Sequence, residues 1–207
     1  MTIPDATIYV VDDDNSVRRG LSRLIRSNDR TVETFGSAEE FLREVTLSHP
    51  GCLILDLHMP GLNGIQLQEL LVKNNVQIPI IFLTANGDVP VAVDAMRAGA
   101  VDFLMKPVTE EELFTAIDRA ISLEMEYMRR TRERDEVQAR VDTLTDRERE
   151  VMAHVIAGLL NKQIGERLGT TEKTVKVHRG RMIKKMRADS VADLVRLADK
   201  VGIHPAE

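Results

Sequence analysis

The sequence predicts an α/β domain built on a parallel sheet, followed by a small all-α domain, and three observations carry that reading. Four short apolar runs, at residues 8–11, 52–55, 80–83 and 101–104, are continuous rather than alternating, as strands covered on both faces are. Amphipathic helical patterns separate them, so strand and helix alternate and right-handed βαβ units follow. From about residue 143 only short helical patterns remain. At 207 residues the chain is long enough for two cores.

In chain order, the first run is followed by Val17, Leu21, Leu24 and Ile25, one face of a helix starting at Asn15 or Ser16. Residues 31–35 alternate polar and apolar and read as an edge strand. Ser37, with Glu40 three residues later, opens a helix carrying Ala38, Phe41, Leu42 and Val45. Ile65, Leu67, Leu70 and Leu71 mark a third helix, and Val91, Val93, Ala95 and Met96 a fourth. Thr109 with Glu112 opens a fifth, which continues through Leu113, Ile117, Ile121 and Met125 into a charged stretch at 124–140 without Gly or Pro. This stretch reads as the last helix of the α/β domain running on into a helical linker. The apolar positions Ile117, Ile121, Met128, Val137, Val141 and Leu144 are too irregular for a coiled coil, and a solvated charged helix is the plain alternative. Four short helices close the chain: one opened by Thr145 and Glu148, one at 162–168 ending on Gly169, one opened by Thr171, and one beginning near Ser190. The expected division is 1–122, a helical linker at 123–142, and 143–207.

The net charge of −5 conceals an asymmetry. Residues 1–120 hold 10 Lys/Arg against 18 Asp/Glu, whereas residues 143–207 hold 13 against 9, which makes the second half the candidate for contact with nucleic acid. Cys52 is the only cysteine, so a disulfide frame and a cysteine-based metal site are excluded. No apolar run approaches the ~18 residues a membrane span needs, and the N-terminus carries no signal-peptide core. A cytoplasmic protein with no membrane partner is expected.

The strands end in chemistry. The first apolar run stops at Asp12, Asp13 and Asp14, the second at Asp56, the third at Thr84 and the last near Lys106. Ligands of parallel α/β sheets bind at the carboxyl ends of the strands, so these groups share one rim. Clustered carboxylates with a hydroxyl and an ammonium suit an oxygen-ligated Mg²⁺ and a phosphoryl group, with one carboxylate as nucleophile. Each residue alone reads as a polar loop or turn; the coincidence at every strong strand decides the matter.

Val10 to Asp14, Leu55 to Gly64 (with its Asp-x-x-Met-Pro-x-x-x-Gly element), Leu83-Thr84-Ala85 and Phe103 to Pro107 resemble the receiver domain of two-component response regulators. The resemblance implies a flavodoxin-like, doubly wound sheet of five parallel strands in the order 2-1-3-4-5. It also implies roles. Asp56 is the phospho-acceptor; Asp12, Asp13, Asp56 and the carbonyl of His58 hold Mg²⁺, Asp12 through water. Thr84 and Lys106 read the phosphoryl group, Phe103 is the switch aromatic, and His58 and Asn86 flank the site. A cis bond between Lys106 and Pro107 is expected on the same ground.

The helix from about Glu172 to Arg187 has seven Lys/Arg against one acid, which by charge alone is equally a solvated surface helix. The patterns around Thr145–Val151, Gly158–Ile164 and Thr174–Arg179 resemble the LuxR-type four-helix, helix-turn-helix DNA-binding domain. The two domains together are similar to the FixJ branch of FixJ/NarL-type response regulators. For DNA contact the resemblance singles out Asn161 and Lys162, Thr171 and Thr174 at phosphates, and Lys176, Val177, Arg179 and Gly180 at bases; in the basic run of the same helix, Lys184 or Lys185 is expected on the phosphate backbone. It implies a transcriptional regulator rather than an enzyme. Its partners are a cognate sensor histidine kinase, double-stranded promoter DNA, a second copy on phosphorylation and RNA polymerase. Val91, Ala95 and Arg97 are the candidate dimer face of the receiver, and Leu194, Leu197 and Ala198 that of the DNA-binding domain. Two other readings compete: a phosphohydrolase working through an aspartyl phosphate, for which no substrate cap is visible, and a DNA-binding protein indifferent to phosphorylation.

Overall fold

The computed structural model describes residues 6–45, 50–85 and 89–206. It divides into two compact units, 1–128 and 129–207.

In the first unit β1 (Thr7–Val11), β2 (Thr31–Phe35), β3 (Gly51–Asp56), β4 (Ile80–Thr84) and β5 (Asp102–Met105) form one parallel sheet in the order β2-β1-β3-β4-β5. The helices are α1 (Asn15–Ser27), α2 (Ala38–Glu44), α3 (Gly64–Lys73), α4 (Val89–Arg97) and the start of α5 (Glu110–Asp142). Alternate residues of each strand feed opposite cores, which explains the continuous apolar runs. Ile8, Val10, Ile54 and Ile81 pack with Leu21 and Ile25 of α1 and with Leu113 and Ile117 of α5. Tyr9, Val11, Leu55 and Phe82 pack on the other face with Phe41 of α2, Leu67 of α3 and Ala95 of α4.

Caps begin the helices where the chain leaves the sheet. Asp14, at the end of the acidic tract, is the N-cap of α1 and accepts from the Ser16 amide at 2.8 Å. Asn63 and Gln66 form a reciprocal capping box at α3, at 2.9 and 3.0 Å. Thr109 and Glu112 do the same at α5. Gly64 has no room for a side chain: a Cβ there would lie 2.4 Å from the Asp56 carbonyl oxygen, so glycine is what lets α3 start directly above the end of β3.

The second unit holds the end of α5 with α6 (Asp146–Ile156), α7 (Asn161–Arg167), α8 (Glu172–Met186) and α9 (Val191–Lys200). Its core is built on Val151, Val155, Ile164, Val175, Met182, Met186 and Leu194, and it includes Val137, Val141 and Leu144. Residues 137 and 141 thus belong to a core rather than to a solvated linker. Lys200 pairs with Glu133 at 2.7 Å, and Arg140 donates to the Met186 carbonyl at 3.3 Å.

Candidate functional site

β1 and β3 end side by side, and their terminal carboxylates meet. One oxygen from each of Asp12, Asp13 and Asp56 lies within 4.8 Å of the others; Asp12 and Asp56 are buried and Asp13 is exposed. Lys106, just past β5, reaches across the sheet to place Nζ 2.6 Å from Asp12 Oδ2 and 3.3 Å from Asp56 Oδ1. The peptide bond that follows it, Lys106–Pro107, is cis. Arg18 donates to the Asp12 carbonyl at 2.5 Å and so holds the backbone of the acidic loop, a contact no sequence signal announces.

Burial pushes the Asp56 carboxyl up; Lys106 pulls it down, Asp12 adds to the rise, and the net direction is upward. Burial would lower the Lys106 ammonium, but its bond to Asp12 and the charges of Asp12 and Asp56 hold it above its ordinary value. Three carboxylates face one ammonium, so the pocket keeps a surplus of negative charge on hard oxygen donors. That donor set fits a divalent cation.

Thr84, at the end of β4, is fully buried, and its Oγ1 lies 3.3 Å from Nδ1 of His58. The His58 ring is exposed, two residues beyond Asp56. Phe103, on β5, is half-buried with its ring centroid 6.3 Å from that of Phe82. Asn86 lies outside the described residues.

In the second unit α7 and α8 form the helix-turn-helix. Gly169 has φ of +62°, the left-handed turn that glycine favours. Gly165, which the sequence reading did not single out, permits the close approach: a Cβ there would lie 2.9 Å from the Thr170 carbonyl oxygen. Thr171 caps α8 by accepting from the Thr174 amide at 3.2 Å, and its hydroxyl lies 2.9 Å from that of Thr174, so both threonines sit at the helix N-terminus, the end that favours phosphate. Lys173, Lys176, Val177, Gly180, Arg181 and Lys184 are exposed, and their spacing of three and four residues places them on one stripe of α8. Lys162 is exposed at the start of α7, where Asn161 Oδ1 accepts from Arg179 Nη1 at 2.9 Å. Gly180 meets nothing within 4 Å of its missing Cβ, so the fold itself makes no demand for glycine there.

Three sequence assignments change. Lys185 does not join the exposed stripe: its Nζ bonds Glu148 Oε2 at 2.6 Å and the Thr143 carbonyl at 2.8 Å. Ala95 is buried in its own core and Val91 is half-buried, whereas Val93 and Met96 are the large exposed hydrophobics of α4 among the described residues; Arg97 is exposed beside Asp94 at 3.7 Å. Leu194 and Ala198 are likewise buried in the second unit's core and Leu197 packs against it, which leaves Val191 and Val195 as the large exposed hydrophobics of α9. In both helices the apolar periodicity was visible, but not which of two apolar faces the core would take.

Glu148 is a residue whose importance the sequence concealed. Read from the sequence it belongs to the α6 cap, where it accepts from the Thr145 amide at 2.9 Å. In the fold it is also buried against Lys185. Burial pushes its carboxyl up, but the bonds from Lys185 and Thr145 outweigh that and hold it below the usual carboxylate range.

Residues 8–118 match the response regulator receiver domain family, and residues 142–198 match the bacterial regulatory proteins of the luxR family. The chain is 44% identical over 198 residues to Nodulation protein W of Bradyrhizobium diazoefficiens, covering 96% of this chain and 87% of that protein. It is 39% identical over 202 residues to Transcriptional regulatory protein FixJ of Rhizobium meliloti, covering 98% and 99%. Among solved structures, the response regulator StyR superposes with a TM-score of 0.85 at 45% identity, over 95% of this chain and 99% of that one. Full-length FixJ from B. japonicum gives 0.57 at 38% identity, over 95% and 97%.

Proposed function

The chain belongs to the two-component response regulators that join a receiver domain to a LuxR-type DNA-binding domain, and from that premise we propose how its own residues act as a phosphorylation-driven transcriptional switch. The observation that carries the reading is the meeting of Asp12, Asp13, Asp56 and Lys106 at the strand ends, in a chain whose second unit presents a basic stripe on α8.

Asp56 is the acceptor. Its contacts with the Leu57 amide and with Lys106 both fall on Oδ1, which leaves Oδ2 as the attacking oxygen. Oδ2 forms a bond to phosphorus as the bond from phosphorus to the donor's imidazole nitrogen breaks, and the electron pair leaves with that nitrogen. The phosphodonor is the family's partner histidine kinase. Asp12, Asp13, Asp56 and the His58 carbonyl would hold Mg²⁺. Bound there, the cation offsets charge on the phosphoryl oxygens. Lys106 then transfers its pairing from Asp12 and Asp56 to the phosphoryl group, and the Thr84 hydroxyl donates to it. Withdrawal of Thr84 opens space for Phe103 to turn inward, which reshapes the α4–β5 face on which a second copy docks. Val93 and Met96 of α4 are the apolar contacts that face offers.

A dimer then binds promoter DNA, with Lys176, Val177, Arg179 and Gly180 at base edges and Lys162, Thr171, Thr174 and Lys184 on phosphates. Asn161 orients Arg179 through their 2.9 Å bond. RNA polymerase is the partner through which promoter binding takes effect, and the cytoplasm is the compartment where all of these partners meet. No helix of the described residues is long and apolar enough to cross a membrane.

Incubation with acetyl phosphate and Mg²⁺, followed by sizing and a gel shift, tests the whole scheme. Phosphorylation is expected to bring both a dimer and tighter DNA binding; a labelled protein that stays monomeric and binds DNA unchanged would refute it. Thr84→Ala is expected to take up label normally yet lose much of the coupling to dimerisation, because Thr84 reads the product rather than making it. Equal dimerisation of labelled Thr84→Ala and wild type would remove Thr84 from the switch.

Arg179→Ala is expected to cost ~1–3 kcal/mol on operator DNA and to relax preference at one position of each half-site. Lys184→Ala should instead weaken operator and scrambled DNA alike and reduce the salt slope by about one. Titrations against both DNAs at several salt concentrations separate the two. A uniform loss for Arg179→Ala would move that residue to the phosphate backbone.

A further inference from the structure

Building on the reading of Thr84 as the residue that senses the phosphoryl group, we propose that His58 is a positioning residue: its imidazole holds the Thr84 hydroxyl in the resting protein, and the phosphoryl group must win that hydroxyl from it. The two side chains come from different strands, Thr84 from the end of β4 and His58 from the turn after β3, and they meet at 3.3 Å between Oγ1 and Nδ1. Thr84 is fully buried, so the places where its hydroxyl can be satisfied are few and each is worth holding. With the ring proton on Nε2, Nδ1 is an acceptor, and a hydroxyl has one proton to donate. Donation to His58 and donation to a phosphoryl oxygen on Asp56 therefore exclude each other. This makes the residue two positions past the acceptor a restraint on switching.

The surroundings give the ring somewhere to go when it is released. A cavity of about 670 Å³ lies beside it, lined by His58, Met59 and Asn63 on one side and by Val91 and Asp94 of α4 on the other. Once Thr84 turns to the phosphoryl group, the imidazole is free to move toward α4, the helix whose exposed face changes on activation. His58 thus reports the loss of the resting contact on the side of the α4 cavity.

Beryllofluoride, which occupies the place of a phosphoryl group without a covalent step, reads the restraint directly. Its binding to the full-length protein in the presence of Mg²⁺ is followed by ¹⁹F NMR. His58→Leu, which removes the acceptor, is expected to lower the half-saturating concentration about two- to tenfold, the range that one neutral hydrogen bond spans. His58→Asn places the amide oxygen where Nδ1 stood and is expected to return the midpoint to wild type. In a Thr84→Ala background the two His58 variants are expected to differ by less than about twofold. A second measurement needs no His58 variant: in ¹⁵N-histidine-labelled resting protein, Thr84→Ala is expected to shift the Nδ1 resonance of His58. An unchanged resonance, an unchanged midpoint for His58→Leu, or the same gain with Thr84 absent would each overturn the proposal. A wild-type protein that binds no beryllofluoride would instead overturn the acceptor assignment on which it rests.

Discussion

Asp56→Asn is expected to take up no label from acetyl phosphate and to show no phosphate-dependent rise in dimerisation or DNA binding. The side chains are nearly isosteric and the contact from the Leu57 amide to Oδ1 can persist, so the fold should survive. What disappears is the carboxylate proposed to attack phosphorus, one of the three carboxylates of the acidic pocket. Thermal unfolding of the variant should match or exceed that of wild type, because the carboxyl is pushed up by burial and by Asp12 and its charge is therefore a cost in the resting state. Stable labelling of Asp56→Asn under conditions that label wild type would place the acceptor elsewhere, with Asp12 and Asp13 the remaining carboxylates of the group.

The second large effect concerns stability. Lys185→Met is expected to destabilise the DNA-binding unit by ~2–3 kcal/mol at neutral pH, because it leaves Glu148 charged, buried and short of its cation. The figure lies below the ~3–5 kcal/mol of a fully buried pair because the Lys185 side chain is 35% exposed. The pH dependence fixes the sign. The Glu148 carboxyl of the wild type is held below its ordinary value, so its contribution is present above that value and fades as pH falls through the depressed one. In Lys185→Met the Lys185 bond and charge that help hold the carboxyl down are gone, so it rises relative to the wild type and the variant loses less stability as the group is protonated. The gap between the two proteins should therefore narrow on acidification. Urea denaturation, with amide exchange in α8 reporting on this unit, measures it; a gap constant from neutral pH down to ~3 would mean the pair is screened by solvent.

Most of the fold was legible because its elements are local. Each covered strand is a continuous apolar run, and the caps at Ser37, Thr109, Thr145, Thr171 and Ser190 all stand where the sequence predicted helix starts. The acidic pocket was legible for a different reason: a parallel sheet sends every strand end to one rim, so Asp12, Asp56, Thr84 and Lys106 could be grouped without knowing a single distance. What stayed hidden depends on pairs far apart in the chain. Glu148 and Lys185 each carry an ordinary local role, as cap and as part of a basic run, and neither role announces the other. His58 was expected beside the acceptor and Thr84 among the groups that read the phosphoryl, but nothing in their spacing says that they touch. The irregular apolar spacing along 117–144 has a physical cause as well. Ile117 and Ile121 answer to the first core and Val137 and Val141 to the second, so no single period can fit a helix that serves two cores.

That double service of α5 bears on how the protein can be cut apart. Its two modules are not separated by a loop that a protease or a recombination event could sever at no cost; the seam runs inside a helix. A DNA-binding fragment begun at residue 143 would forfeit Val137 and Val141, two fully buried valines, and leave their cavity open to water. One begun a turn or two upstream of Val137 keeps them, along with Glu133 for Lys200 if it starts early enough. Viable exchange of output modules between proteins of this kind should therefore carry the last two to three turns of α5 with the C-terminal partner, however much that stretch resembles a mere connector.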